Sequence, residues 1–308
     1  MNVFHSIDYH SNTPTAVALG CFDGVHLGHA SVIRGAKEQA VRLGVPLAVF
    51  TFTEPPKNFF LPHSVPLITT PEEKEELIDS LGADLLLSIP FDRTIASLSA
   101  EEFLETVLRD RLKAAHIVCG FNYSFGAKGT GNTDLLSAFC KKNGIGLTVM
   151  PPLSIDGAAI SSSLIRQTIE KGDLPTVRRL LGRNYSLSGR VVDGQKLARR
   201  LGFPTVNQVL RPGLAVPRYG VYVTKIRGIE PHTDFFGITN VGMRPTVNGT
   251  QLCSETNVFD FEGDLYGKEL RVEFLAFLRP EQKFDSVDDL RRQVESDITD
   301  AKAYLASL

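Results

Sequence analysis

The chain has 308 residues, of which 43% are hydrophobic, with a formal net charge of −2 and four cysteines, so it has room for two domains of ordinary size with packed cores. The near-neutral charge excludes a general nucleic-acid binder, and the lack of a signal core or of any apolar run able to span a bilayer excludes a membrane partner and predicts a cytoplasmic protein. Cys21, Cys119, Cys140 and Cys253 are far apart and without metal-ligand spacing, which predicts free thiols in a reducing compartment.

The first strand-like run, Ala16-Val17-Ala18-Leu19, leads into Gly20-Cys21-Phe22-Asp23-Gly24-Val25-His26-Leu27-Gly28-His29. A helical pattern follows, with apolar positions at Val32, Ile33, Ala36, Ala40 and Leu43. The glycines and histidines therefore sit on a turn at a helix N-terminus, where free N–H groups and the helix dipole favour an anion. Gly20 and Gly24 let the main chain approach a ligand. His26 and His29, three apart, can share one face and donate to phosphate oxygens as charge builds in a transition state.

Further apolar runs at 47–52, 85–89, 117–119 and 147–150 alternate with helical patterns. Thr70-Pro71-Glu72-Glu73 and Ser99-Ala100-Glu101-Glu102 read as capping boxes, and Gly44, Gly82 and Gly144 as helix stops. This alternation predicts a parallel sheet covered on both faces, with strands in the order third, second, first, fourth, fifth. Ligands of such sheets bind where the order reverses, past the carboxyl ends of the first and fourth strands. Both strands do lead into polar residues: the histidine turn after the first, and Gly120-Phe121-Asn122-Tyr123-Ser124-Phe125-Gly126 after the fourth. Ile160-Ser161-Ser162-Ser163-Leu164-Ile165-Arg166 opens another helix, with Ile165 and Ile169 inward and Gly172 at its end. Its hydroxyls, helix N–H groups and guanidinium are suited to a triphosphate.

A short helix over 173–181 and the turn at 182–185 place a domain boundary near 183. Beyond it the period changes to two. Strand-like runs at 187–192, 219–226, 235–239, 258–261 and 270–277, separated by turn residues such as Pro212-Gly213 and Asn248-Gly249, predict an antiparallel barrel or sandwich. A helix over 286–305 closes the chain, with Val287, Leu290, Val294, Ile298 and Leu305 inward. In a loop fixed by Gly202 and Pro204, Thr205 and Asn207 offer two neutral oxygens one residue apart, a pair suited to Mg²⁺, although on spacing alone a surface turn describes them better. Glu255, entering a strand after the polar loop Asn240–Thr246, could act as a general base; alone it reads as an exposed strand residue.

Together these segments resemble one family. Phe22–His29 has the form of the HIGH-type nucleotide-binding signature in the FAD synthetase half of the bacterial bifunctional riboflavin kinase/FAD synthetases. Gly120–Gly126 and Ile160–Arg166 match two more of its elements, with Ser163 for the usual threonine. Gly202–Asn207 and Asn240–Thr246 match its Gly-Phe-Pro-Thr-Ala-Asn and Asn-x-Gly-x-Arg-Pro-Thr elements, with Val206 for alanine, and Glu255 stands before Phe259-Asp260-Phe261. The resemblance implies an α/β plus all-β chain. Residues 1–183 would be a doubly wound parallel sheet that adenylylates FMN to FAD. Residues 184–308 would be an antiparallel β-barrel with a terminal helix that phosphorylates riboflavin to FMN. It further implies ATP as co-substrate with Mg²⁺, and a catalytic set of Glu255, His26, His29 and Arg166. Gly20, Phe22, Asp23, Gly24, Asn122, Ser161, Ser162, Ser163, Gly202, Pro204 and Arg244 would bind nucleotide or flavin, and Thr205 and Asn207 would hold the metal. The chain departs from the family at Thr51-Phe52-Thr53-Glu54-Pro55-Pro56, where Thr-Phe-Glu-Pro-His-Pro is usual, and at Ala198 and Asn257, where Gly and His are common. These departures leave two alternatives: a chain in which only the kinase half turns over, and a flavin-binding regulator without turnover.

Overall fold

Thr15-Ala16-Val17-Ala18-Leu19 is buried at every position, the signature of a strand covered on both faces. In the computed structural model, which describes residues 1–192, 205–246 and 249–308, this strand is central to the first of two compact units, Met1–Leu164 and Ile165–Leu308. The first unit holds a parallel sheet of β1 (Asn2–Phe4), β2 (Thr15–Leu19), β3 (Leu47–Phe52), β4 (Leu85–Ile89), β5 (Ala114–Gly120) and β6 (Gly146–Met150), in the order β1-β4-β3-β2-β5-β6. The predicted order of five is present, and β1 is an added edge strand that the sequence reading lacks.

Alternate residues of β2 serve different layers. Ala16 and Ala18 pack with Val32, Ile33, Ala36 and Ala40 of α1 (Leu27–Leu43) and with Ile78 of α3 (Pro71–Ser80). A one-turn helix, α2 (Lys57–Phe60), precedes α3. Val17 and Leu19 join the opposite layer, formed by α5 (Ala100–Glu102), its π-helical continuation Phe103–Arg111 and α6 (Thr133–Asn143); the short α4 (Arg93–Ser97) lies ahead of α5. Both predicted capping boxes form: Thr70 Oγ1 and Ser99 Oγ accept from the N–H of Glu73 and Glu102, whose carboxylates return to the cap N–H groups. A two-strand hairpin, β7 (Ser154–Ile155) with β8 (Ala158–Ala159), precedes α7 (Ser162–Lys171).

In the second unit α8 (Leu174–Leu181) is capped by Asp173 and ends on Gly182. A closed antiparallel barrel follows: β9 (Tyr185–Val192), β10 (Thr205–Leu210), β11 (Gly220–Arg227), β12 (Phe235–Thr246), β13 (Gly249–Val258) and β14 (Glu269–Pro280), in the order β10-β13-β12-β11-β14-β9. Its interior is partly polar. Thr224, Thr239 and Thr256 are fully buried and linked hydroxyl to hydroxyl at 2.8 and 2.9 Å. Buried Gln208 donates to the carbonyls of Gly189 and Leu270, and Ser254 Oγ donates to its Oε1.

The barrel corrects three expectations. Thr205–Asn207 opens strand β10 instead of lying in a loop. Asn240–Thr246 belongs to β12, so Glu255 does not follow a polar loop. The strand expected at 258–261 is the end of β13, and Phe259 to Phe261 lie beyond it. Helix α9 (Val287–Ala306) closes the chain with Val294, Ile298 and Leu305 against Val221, Val223 and Ile238. Val287, expected inward, is 53% exposed: it lies on the same face as Ala301 but is the first residue of the helix. Asp297 forms a two-pronged ion pair with Arg279, both prongs at 2.8 Å. Among the described residues no cysteine forms a disulfide, no helix is long and apolar enough to cross a membrane, and no three His, Cys, Asp or Glu gather as a metal site.

Candidate active sites

The turn between β2 and α1 is strained and held. Phe22 and Val25 take positive φ, 48° and 35°, a conformation that costs about 1–3 kcal/mol per non-glycine residue and persists only where its surroundings enforce it. Here both side chains are buried, the Asp23 carboxylate accepts from the N–H of Ile68 at 3.0 Å, and the N–H of Gly24 donates to Thr69 Oγ1 at 3.3 Å. Gly24 has φ +80°, and a Cβ there would fall 2.8 Å from Ile68 Cγ2, so the position accepts only glycine.

That turn delivers the histidines. His26 caps α1: its Nδ1 accepts from the N–H of His29 at 3.1 Å. An accepting Nδ1 places the proton of the neutral ring on Nε2, which is thereby a donor. The two imidazoles stack with centroids 3.5 Å apart and planes 16° from parallel, and the Phe22 ring meets His29 edge-on at 5.4 Å. They line a cavity of about 440 Å³, within the range of small-molecule sites. Gly20, Phe22, Gly120, Asn122, Ser161 and Ser162 also line it, as do Cys21, Phe50, Phe52, Pro56 and Met150–Leu153. The segments after β2 and β5 thus share one cavity, as expected where the strand order reverses.

Of the other expected site residues, Asp23, Gly24, Ser163 and Arg166 are outside this lining. Asp23 and Gly24 shape the turn. Ser162 Oγ donates to the Asp23 carbonyl at 3.1 Å, tying the start of α7 to the turn, and Ser161 Oγ accepts from the N–H of Leu164. Ser163 is exposed and outside the lining; Arg166 is half-buried, one turn along α7.

The sequence reading missed Lys74. It is 3% exposed on α3, and its Nζ donates to the carbonyls of Phe52 and Thr53, pinning the segment that departs from the family pattern. Burial lowers its pKa, against the opposing pull of Cys21, Asp23, Glu75 and Glu54. The available signal was its position four residues before buried Ile78, on the apolar face of α3.

In the barrel, register places the second group. Thr205 and Asn207, two apart on β10, project to one face. Thr205 lies opposite Asn257 and Asn207 opposite Glu255; Glu255 lies in turn opposite Asn240 of β12. Asn207, Glu255 and Asn240 thus form a single cross-strand row, in which facing Cβ atoms are about 4.5–5.5 Å apart. Their neighbours Gln208, Ser254, Thr256 and Thr239 fill the barrel interior, so the row is on the outer face. Asn207 is 6% exposed, and its Oδ1 has no hydrogen-bond partner among the described residues. A buried orphan oxygen of this kind calls for a ligand. Glu255 is half-buried. Arg244 lies on β12 opposite Gln251, and Gly202, Pro204 and Ala198 lie outside the described residues.

Comparison with known proteins matches both units. Residues 8–164 match the family model of FAD synthetase and residues 181–305 that of riboflavin kinase. The chain is 36% identical over 293 residues to a bifunctional riboflavin kinase/FMN adenylyltransferase of Haemophilus influenzae, covering 95% of this chain and 94% of that one. It is 34% identical over 310 residues to one of Bacillus subtilis, covering 99% and 96%. A crystal structure from Streptococcus pneumoniae described as a macrolide-efflux protein is 32% identical, with a TM-score of 0.88, covering 96% of this chain and 97% of that one.

Proposed function

The chain belongs to the family of bifunctional riboflavin kinase/FMN adenylyltransferases, and we propose that its two reactions are divided between residues 1–183, for adenylylation, and residues 184–308, for phosphorylation. It converts riboflavin and ATP to FMN, and FMN and ATP to FAD and pyrophosphate. The alternatives of a single live half or a non-catalytic regulator are not favoured, because both halves match their family models.

In the first half an oxygen of the FMN phosphate attacks the α-phosphorus of ATP. A new P–O bond forms, the α–β bridge breaks and pyrophosphate leaves, so no protein nucleophile is required. His26 through Nε2, His29 and the N–H groups that open α1 donate to the charge that accumulates on the phosphates. Arg166, Ser161, Ser162 and Asn122 are assigned to ATP by the motifs they occupy. The observation that carries this reading is the stacked imidazole pair on a cavity bounded by both chain segments of the switch point.

In the second half Glu255 takes the proton of the riboflavin 5′-hydroxyl as that oxygen attacks the γ-phosphorus of ATP. Thr205 and Asn207 fit Mg²⁺: they are neutral oxygen donors on one face, one of them orphaned, and Mg²⁺ keeps several waters and takes few protein ligands. A cation held there neutralises charge on the ATP phosphates.

The assignment is tested by incubating the protein with riboflavin, ATP and graded Mg²⁺ and separating the flavins by chromatography. Asn207→Leu raises the Mg²⁺ concentration needed for FMN formation by about 10- to 100-fold, the worth of a lost bond to a charged group. It leaves the Mg²⁺ dependence of FAD formation from supplied FMN unchanged; an equal shift in both would reject the metal assignment. The first cavity has its own reporter. Burial raises the thiols of Cys119 and Cys140 to about 11 and keeps them protonated at neutral pH, whereas Cys21 is only half-buried and lines the cavity. Iodoacetamide labels Cys21 first, and ATP slows that labelling, as read by peptide mass spectrometry. Labelling of Cys21 indifferent to ATP would place the nucleotide elsewhere.

A further inference from the structure

A second carboxylate, from Glu281, reaches Asn240 of the outer-face row. Glu281 directly follows β14, whose last residue Pro280 pairs with Gly220, which in turn pairs with Val241 of β12. This brings the Glu281 carboxylate to β12. Asn240 Nδ2 donates to Glu281 Oε1 at 3.2 Å. The carboxylate also sits in space that only a glycine leaves: a Cβ at Gly242 would fall 2.0 Å from Glu281 Oε1 and 2.6 Å from its Cδ. Two positions of one strand, 240 and 242, therefore form a seat for a side chain from another segment.

The chemistry of the seat is directional. An ionised carboxylate only accepts, so it turns the NH₂ end of the Asn240 amide toward itself and leaves the amide oxygen for another donor. A bond with a charged partner holds that orientation more firmly than a neutral one. Asn240 lies opposite Glu255, so a 5′-hydroxyl presented to Glu255 would have Asn240 beside it, next to the other hydroxyls of the sugar-alcohol chain.

We propose that Glu281, seated on Gly242, is a positioning residue for riboflavin phosphorylation: it fixes the Asn240 amide so that its oxygen receives a hydroxyl of the polyol chain next to the reacting one. The inference rests on the assignment of Glu255 as the base.

The test uses the full-length protein and measures kcat and KM for riboflavin in FMN formation, with FAD formation from supplied FMN and the melting temperature as controls. Glu281→Ala raises the riboflavin KM by about 10-fold, a lost charge-assisted bond, with a smaller effect on kcat. Glu281→Gln keeps an accepting oxygen and restores most of that loss. Gly242→Ala expels the carboxylate and reproduces the Glu281→Ala phenotype, and the double variant is no worse than either single one, as for two changes that break one contact. Additive losses, a wild-type KM in Glu281→Ala, or a loss that Glu281→Gln fails to restore would each overturn the proposal. Glu255→Ala separates the two layers: if it still forms FMN, the base assignment has failed; if it does not and Glu281→Ala is normal, only this inference has.

Discussion

Replacing His29 with alanine lowers FMN adenylylation by about 100- to 1000-fold, the usual cost of one donor aimed at developing charge, and leaves riboflavin phosphorylation at its original rate. The substitution is clean for a structural reason. The cap of α1 is the Nδ1 of His26, and its partner is the backbone N–H of residue 29, which alanine retains. What is lost is the ring held between His26 at 3.5 Å and the edge of Phe22 at 5.4 Å. His26→Ala would combine loss of a donor with loss of a cap worth about 1 kcal/mol, so His29 is the better probe. Flavins from riboflavin-fed and FMN-fed reactions, separated by chromatography, give both rates. If the two activities fall together in a folded protein, or if FAD forms at its original rate, the imidazole pair has no part in the transfer.

Glu255→Ala gives the reverse pattern. FMN formation drops by about 100- to 10,000-fold, the range of a general base, while FAD from supplied FMN is made as before. Register carries the argument. The barrel fixes Glu255 opposite Asn207 on one side and Asn240 on the other, so the proposed proton acceptor and the proposed metal ligand stand on adjacent strands about one strand spacing apart. FMN formation persisting in Glu255→Ala would show that alignment of the hydroxyl by its neighbours is enough.

The first unit was the more legible in the sequence. Its strands are uninterrupted apolar runs, since both faces are covered, and capping boxes at Thr70 and Ser99 marked two helix starts. β1 escaped because three residues, Asn2–Phe4, carry no period. The barrel was harder because it inverts the usual rule. Ser254 and Thr256 of β13 and Gln208 of β10 face inward, where they satisfy one another and their neighbours on adjoining strands. Polar residues at inward positions look like loop, so the patterns of β10 and most of β13 resemble connections. The site residues were legible as motifs, but not their division of labour. Nothing in Phe22–His29 distinguishes Asp23, which shapes the turn through Ile68, from His29, which lines the cavity. Lys74 and Glu281 act on segments distant in sequence, and no local pattern announces either.

The pairing of β13 with β10 and β12 acts as a ruler. It counts residues from Asn207 to Glu255 to Asn240 whatever the length of the chain between them. Connections can therefore lengthen or shorten over generations without disturbing the chemistry. A single residue gained between Thr205 and Asn207 would instead turn one of the two oxygens inward among the threonines. In the second unit, what natural variation must preserve is parity, and the strands keep it.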